Sequence, residues 1–196
     1  MKKSEIARME RNTQIVNTIV AATKPLIVEE GYENLTIREI CANAGITTGM
    51  FYRHFVSKDD VLTFCYMQDL KEVLDNIDDK ISGLPLAQQL VTIMVNVLTI
   101  NRKFGPASVY MFINRNTTST SGSHLMRNIL KDKTLEIIEN AVASGFQLSE
   151  GRTPDAIFND ISVIMKGLTS EWYMVGLMDI ADQAQDILGR LMVHLL

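Results

Sequence analysis

Apolar residues recur along this chain every three to four positions, the period of an amphipathic α-helix, without the strict alternation of a half-buried strand. The first helical segment extends from about Ser4 to Glu30 and ends before Gly31. Its apolar face consists of Ile15, Ile19, Ala22, Leu26 and Ile27. Pro25 lies inside the segment and removes one helical hydrogen bond, so we expect a kink or a local break near residues 23–25.

A short second helix is predicted to begin at Thr36. The Thr36 hydroxyl can cap a helix start, and Glu39, three residues further on, can complete a capping box with it. The apolar pattern stops at Ala44, and Gly45 can adopt the left-handed conformation that closes a helix. We therefore expect a helix of about two turns.

A third short helix is predicted after a turn, with Thr47 as its cap. It carries an apolar and aromatic face formed by Met50, Phe51, Tyr52 and Phe55. Ser57 is a cap candidate for the next helix, whose first turn contains Asp59 and Asp60. Two short helices joined by a tight turn form a helix-turn-helix, which binds DNA by placing its second helix in the major groove. The pattern thus favours a DNA-binding head.

The same region resembles the tetracycline-repressor (TetR) family of transcriptional regulators over roughly residues 10–65. The matching residues are Gly31-Tyr32, Leu35-Thr36-Ile37, Ala44-Gly45-Ile46, Gly49, Phe51-Tyr52, His54-Phe55 and Ser57-Lys58. The resemblance implies phosphate contacts from Tyr52, His54 and Lys58, with a further contact from the helix start at Thr36. On that assignment, Lys58→Ala is expected to weaken binding to all DNA sequences and to lessen its salt dependence.

The start of the third helix supplies the predicted base contacts, because a recognition helix presents its N-terminal residues to base edges. Thr47, Thr48 and Met50 are the candidates: a hydroxyl can hydrogen-bond several bases, and a thioether suits a thymine methyl. Gly49 would allow the backbone to approach DNA closely. Arg53 is predicted to contact either a base or the phosphate backbone.

The rest of the chain also has helical periodicity. A long helix is expected from Ser57 to about Ile81. Five more helices are expected at Leu86 to Lys103, Ala107 to Arg115, Leu125 to Ser144, Pro154 to Met178 and Ala181 to Leu195. The Ser/Thr/Gly run from Thr117 is expected to be a surface loop. We therefore predict an all-α fold of about nine helices, with a helix-turn-helix head at residues 1–58 and an effector-binding and dimerisation body at residues 59–196.

The last two predicted helices carry apolar stripes that favour a homodimer. The stripe residues are Ile157, Ile161, Ile164, Leu168, Ile187, Leu188, Leu191 and Leu195. The resemblance implies a four-helix bundle across a twofold axis, which would match the two half-sites of a pseudopalindromic operator. The alternative is that these stripes face the core of the body itself, because periodicity does not identify the partner.

A small-molecule effector site is expected among the middle helices of the body. The candidate lining residues are Asn101, Phe104, Tyr110, Met111, Asn114, Glu171, Trp172 and Tyr173. Eleven methionines in the chain suit an adaptable apolar cavity, although the same residues at helical spacing also suit an ordinary core. A partly buried carboxylate at Glu171 beside Trp172 would favour a cationic or amphipathic ligand.

Charge and composition modify this interpretation only slightly. The net charge is −4, but residues 1–58 carry eight Lys and Arg against six Asp and Glu, so they are +2 and the remainder is −6. Two cysteines without a metal-binding spacing give no reason to expect a metal or cofactor. No apolar run approaches the roughly 18 residues that cross a bilayer, and no secretory signal follows Met1, so we expect a cytoplasmic protein that does not enter a membrane.

Taken together, these patterns favour a ligand-controlled repressor that binds DNA as a dimer and is released by a small, largely apolar effector. The long helix from Ser57 is expected to connect effector binding to the head. An enzyme is not expected, because the chain has no glycine-rich phosphate loop, nucleophile elbow or HExxH motif. The alternative is a helix-turn-helix protein with an architectural or protein-binding task and no small-molecule effector.

Overall fold

The structure is a computed structural model that describes residues 3–115, 122–176 and 179–196. Secondary structure in this part of the chain is entirely helical and comprises ten helices. They are α1 (Lys3–Glu30), α2 (Ile37–Ala44), α3 (Thr48–Phe51), α4 (Lys58–Asp75), α5 (Ile77–Ile81), α6 (Leu86–Phe104), α7 (Pro106–Arg115), α8 (Gly122–Ala143), α9 (Pro154–Val175) and α10 (Ile180–Leu195). The all-α prediction is confirmed, whereas the run from Thr117 and the predicted helix end at Met178 lie outside the described residues.

The chain divides into two compact units, Met1–Gln68 and Asp69–Leu196, which we call the head and the body. The division falls inside α4, further along the chain than the boundary expected at residue 58. The first part of α4 therefore belongs to the head and its last part to the body.

The head is built on α1, against which α2 packs, while α3 packs on α2. Helix α1 continues through Pro25, so the local break that we considered there is not found. The Asn43 side chain on α2 donates a hydrogen bond to the carbonyl of Ala22 at 2.7 Å, which ties the two helices together near the proline. This tertiary contact supports α1 where a proline weakens the helix.

The long helix predicted from Ser57 to Ile81 is interrupted, which accounts for ten helices where about nine were expected. Helix α4 ends at Asp75, and Asn76 has a φ of −107° and a ψ of 7° before α5 begins. The Asn76 side chain donates to the carbonyl of Glu72 at 2.8 Å. Asparagine competes in this way with the backbone amides of a helix, a signal that apolar periodicity does not contain.

Helix α6 is the centre of the body and packs against α5, α7, α8 and α10. Its buried face includes Leu90, Met94, Leu98 and Asn101. Helix α9 packs against α7, α8 and α10. Ion pairs connect elements at the surface of the body. For example, Lys133 lies 2.8 Å from Asp78, and Arg102 lies 2.9 Å from Asp179.

Candidate DNA-binding site

The start of α2 is held by the predicted capping box. The amide and the hydroxyl of Thr36 each donate to the Glu39 carboxylate at 2.7 Å, and the Glu39 amide donates back to the Thr36 hydroxyl at 3.3 Å. The side-chain hydrogen bond from Thr36, followed by its backbone hydrogen bond and the charge of Lys58, holds the pKa of Glu39 below 4.5. Gly45 closes the helix with a φ of 65°, as expected from the sequence.

These hydrogen bonds engage the polar groups of Thr36 within the cap of α2. Its amide and hydroxyl donors both point to the Glu39 carboxylate. A phosphate at this helix start would therefore meet the amides of the first turn rather than the donors of Thr36 itself.

The recognition helix is shorter than its sequence pattern suggested. Thr47 caps α3 by accepting a hydrogen bond from the Met50 amide at 3.2 Å, as predicted. Helix α3 contains only four residues and ends at Phe51, so Tyr52 lies in the turn that follows it. Phe55, beyond that turn, still contributes to the aromatic face.

Two buried aromatic rings fix the recognition segment in the head. Phe51 and Phe55 are 0% and 2% exposed, and their ring centroids are 5.7 Å apart. Tyr52 packs edge-on against Phe51 at 5.4 Å but is itself 59% exposed. Phe51 and Phe55 thus face the interior of the head, while Tyr52, which lies between them in the sequence, faces solvent.

The predicted base and phosphate contacts fall on one short, outward-facing segment, residues 47–54. Its exposed members are Thr47, Thr48, Gly49, Tyr52 and Arg53. Met50 and His54 are half-buried. Hydroxyl, guanidinium and imidazole groups on a surface that can enter a groove suit both base edges and phosphate oxygens.

The third predicted cap is also present at the start of α4. The Ser57 hydroxyl accepts from the Asp60 amide at 3.3 Å, and the Asp60 carboxylate accepts from the amides of Val56 and Ser57 at 2.8 and 3.2 Å. This reciprocal arrangement satisfies backbone donors that no helical carbonyl can reach. It also fixes the position of the residue that follows, Lys58.

Lys58 has partners that the sequence did not predict. Its Nζ donates to the carbonyls of Tyr32 and Leu35 at 3.0 Å each and to that of Glu33 at 3.3 Å. The side chain is half-buried, and Nζ also lies 4.6 Å from the centroid of the Tyr32 ring. Backbone carbonyls are common to all residues, so nothing in the sequence indicated these acceptors.

The predicted effector residues have diverse surroundings in the body. Asn101 and Phe104 are buried, while Tyr110 is half-buried and stacks on Tyr173 with centroids 4.0 Å apart. Trp172 is half-buried. The side chains of Met111 and Asn114 lie outside the described residues.

Glu171 is exposed, which corrects the expectation of a partly buried carboxylate beside Trp172. A carboxylate in solvent is strongly hydrated and offers little to a cation. The reason for preferring a cationic effector is therefore removed.

Each unit has a concave surface among its described residues. A groove of about 360 Å³ between α6 and α10 includes Leu84, Val91 and Met192. An open depression of about 690 Å³ follows α1 from Met9 to Ala21. Neither contains a predicted effector residue.

The predicted dimerisation residues separate into two groups. The buried group consists of Ile157, Ile161, Leu168 and Leu188. The other group consists of half-buried Ile164, Ile187 and Leu195 and of Leu191, which is 37% exposed. The first group therefore faces the core of the body, which was the alternative considered for these stripes. Only the second group has exposed surface that a partner chain could contact.

No helix in the described ranges is both long enough and apolar enough to cross a bilayer.

Comparison with known proteins places the helix-turn-helix in a known family. The model of bacterial regulatory proteins of the tetR family matches residues 19–63. Over these 45 of its 196 residues the chain is similar to the tetR family. This confirms the resemblance seen in the sequence.

Two curated relatives match part of the chain. The TetC protein of transposon Tn10 from Escherichia coli is 42% identical over 53 residues, which are 27% of this chain and 27% of that protein. The HTH-type transcriptional regulator UidR of Escherichia coli K12 is 26% identical over 90 residues, which are 45% of this chain and 46% of UidR. The matched segments thus span less than half of either relative.

Solved structures extend the likeness in fold to the body of the chain. FadR from Thermus thermophilus, a TetR family transcriptional repressor in complex with lauroyl-CoA, matches with a TM-score of 0.71. The match covers 91% of this chain and 93% of FadR at 16% identity. At that identity, the two proteins share a fold.

Proposed function

We propose that this protein is a sequence-specific DNA-binding transcriptional regulator, acting as a dimeric repressor that a small, largely apolar effector releases from a pseudopalindromic operator. The observation that carries the proposal is the exposed segment at residues 47–54, anchored by buried Phe51 and Phe55. A rigid element that presents polar side chains outward has the form required for major-groove recognition.

The residues of this segment take separate roles in the proposed complex. Thr48 and Met50 contact base edges, while Arg53 contacts a base or a phosphate. Tyr52 and His54 contact phosphates and so set the register of the head on DNA. This division predicts that loss of Thr48 changes sequence preference, whereas loss of a phosphate contact weakens binding to all sequences.

A second apolar stripe on α10 supports the homodimer. Ala184, Leu188 and Met192 are buried in the body, where α10 packs against α6. The neighbouring stripe at Ile187, Leu191 and Leu195 follows the same four-residue spacing but retains exposed surface. A C₂ interface formed by this stripe and its counterpart would present two heads to two half-sites.

An effector that binds the body would act by favouring a conformation with lower affinity for DNA. Coupling of roughly 1 to 3 kcal/mol is sufficient for such a switch. The stacked Tyr110 and Tyr173, together with half-buried Trp172, offer apolar and aromatic surface to a ligand. Because FadR of the same fold holds lauroyl-CoA, acyl-CoA thioesters are among the first compounds to test.

Repression is tested with a reporter gene whose promoter carries a duplex sequence selected by the protein. The wild type is expected to lower reporter expression, and Arg53→Ala is expected to restore it. Lys71→Ala on exposed α4 surface of the body is the matched control and should repress like the wild type. Equal expression with and without the wild-type protein would contradict repression, and increased expression would indicate an activator.

Effector action is tested by titrating lauroyl-CoA and smaller aromatic compounds into the complex of protein and labelled duplex. A true effector should weaken DNA binding about 5- to 150-fold, which corresponds to the coupling given above. A compound that raises the melting temperature of the protein without changing its DNA affinity would be a ligand without regulatory effect. Finding only such compounds would favour the architectural alternative.

A further inference from the structure

The ammonium group of Lys58 lies against the connection between α1 and α2 and not in open solvent. It has three acceptors, the carbonyl oxygens of Tyr32, Glu33 and Leu35, at 3.0, 3.3 and 3.0 Å. An ammonium has three N–H donors, so each donor has an acceptor within the head. A phosphate could bind Nζ only by replacing one of these carbonyls.

The local electrostatics explain why the lysine is held there. Lys58 is the first residue of α4, where the helix dipole disfavours a positive charge. The acceptors follow the C-terminal end of α1 at Glu30, where the dipole of that helix favours a cation. The Tyr32 ring, 4.6 Å from Nζ, adds a cation–π contact.

The segment that Lys58 binds determines where α2 begins. Residues 31–36 form no helix, and Tyr32 and Leu35 anchor the segment with 3% and 1% exposure. Thr36, the next residue, is the N-cap of α2. Lys58 therefore connects the start of α4 to the start of the helix on which α3 packs.

We propose that Lys58 is a positioning residue for DNA recognition, acting through the α1–α2 connection rather than as a ligand of phosphate. The inference rests on the proposed DNA binding, and it reverses the role that the family resemblance implied for this lysine. Removing the ammonium leaves three carbonyls of the connection without their donor. The start of α2 then loses its fixed position, and the recognition segment loses its fixed orientation.

The first test compares DNA affinity across salt concentrations for the wild type, Lys58→Met and Lys58→Arg, using a selected duplex. Lys58→Met keeps the aliphatic stem and should lower affinity at least tenfold with an unchanged salt slope. Lys58→Arg should stay weakened, because a planar guanidinium cannot direct three donors from one nitrogen to converging carbonyls. Lys71→Met on the same helix should behave as the wild type, since its exposed ammonium pairs only with the exposed Asp75 carboxylate in the described structure.

A phosphate ligand would give a different result in the same experiment. Loss of one phosphate contact lowers the salt slope by about 0.9 per subunit. Arginine binds phosphate at least as well as lysine does, so Lys58→Arg would recover the wild-type affinity. Either a reduced slope in Lys58→Met or full recovery in Lys58→Arg would overturn the proposal.

The second test does not depend on DNA. Hydrogen–deuterium exchange of peptides from residues 31–40 should be several-fold faster in Lys58→Met than in the wild type, while exchange in α6 should be unchanged and so report a folded body. Unchanged exchange at residues 31–40 would overturn the proposal. Faster exchange together with no DNA binding by the wild type would instead overturn the proposed function and support the contact between Lys58 and the connection.

Discussion

Neighbouring residues of the head have different tasks, as the two threonines at the start of α3 illustrate. The Thr47 hydroxyl accepts a hydrogen bond from the Met50 amide, whereas the Thr48 side chain is exposed and forms no described hydrogen bond. The caps were predictable because capping depends on residue type and short spacing. The contacts of Lys58 were not predictable, because its acceptors are backbone carbonyls brought close by the fold.

The two threonines are expected to respond differently to alanine. Thr47→Ala should lower the free energy of unfolding by about 1 kcal/mol, because α3 loses its cap. Thr48→Ala should change the free energy of unfolding by less than about 0.5 kcal/mol, because the side chain that it removes is exposed. It should, however, alter the base preference found by sequence selection. Chemical denaturation measures the first difference. A Thr48→Ala protein with the wild-type consensus sequence would contradict a base contact at Thr48.

Tyr32 carries a buried hydroxyl that has no hydrogen-bond partner among the described residues. An unsatisfied buried polar group costs about 1 to 3 kcal/mol. Tyr32→Phe keeps the ring beside Lys58 and should raise the free energy of unfolding by about 1 kcal/mol. Tyr52→Phe, at an exposed position, is the control and should leave stability unchanged. A less stable Tyr32→Phe protein would mean that the hydroxyl has a partner in solution.

At the scale of elements, the sequence predicted which helices exist better than where they end. Gly45 and the threonine caps marked the bounds of α2 and the start of α3. Asn76 ended α4 early although the apolar period continued, because its side chain bonds to the preceding turn. Helix α3 ended at Phe51 while the aromatic pattern extended to Phe55, since buried rings can share a core without sharing a helix.

The capping box of α2 predicts a pH dependence. Hydrogen bonds from Thr36 depress the pKa of Glu39 below 4.5 in the folded protein. A depressed carboxyl pKa contributes stability that is present above the unfolded-state value and lost as pH falls through the folded-state value. The wild type should therefore be more stable than Glu39→Gln at pH 7, and this advantage should shrink below about pH 4.5.

Thermal unfolding of both proteins between pH 3 and 7 measures this difference. Glu139→Gln on the exposed surface of α8 is the control and should follow the wild type throughout. A constant difference between the wild type and Glu39→Gln across the range would show that the charge of Glu39 is not what stabilises the cap.

At the scale of the whole molecule, the apolar stripes of α9 and α10 could not be assigned from periodicity alone. Burial shows that Leu188 belongs to the core of the body, whereas Leu191 on the adjacent stripe is 37% exposed. Sequence spacing alone does not distinguish the buried position, Leu188, from the exposed one, Leu191. Only the packing of α10 against α6 distinguishes the residues used within one chain from those available to a second.

Leu191→Glu is expected to dissociate the proposed homodimer, because it places a charge within the interface. Light scattering should then give a mass near 22.0 kDa, that of one chain, instead of twice that value. Val142→Glu on α8, at a position that is 42% exposed, is the matched control and should remain dimeric. A Leu191→Glu protein that stayed dimeric would place the interface elsewhere.

The most direct test of the account is selection of bound sequences from a random duplex library by the purified protein, at a stated salt concentration and with the mass of the complex recorded. We expect a pseudopalindromic consensus, bound by two chains. No enriched sequence at low salt would contradict specific DNA recognition by the exposed segment at residues 47–54.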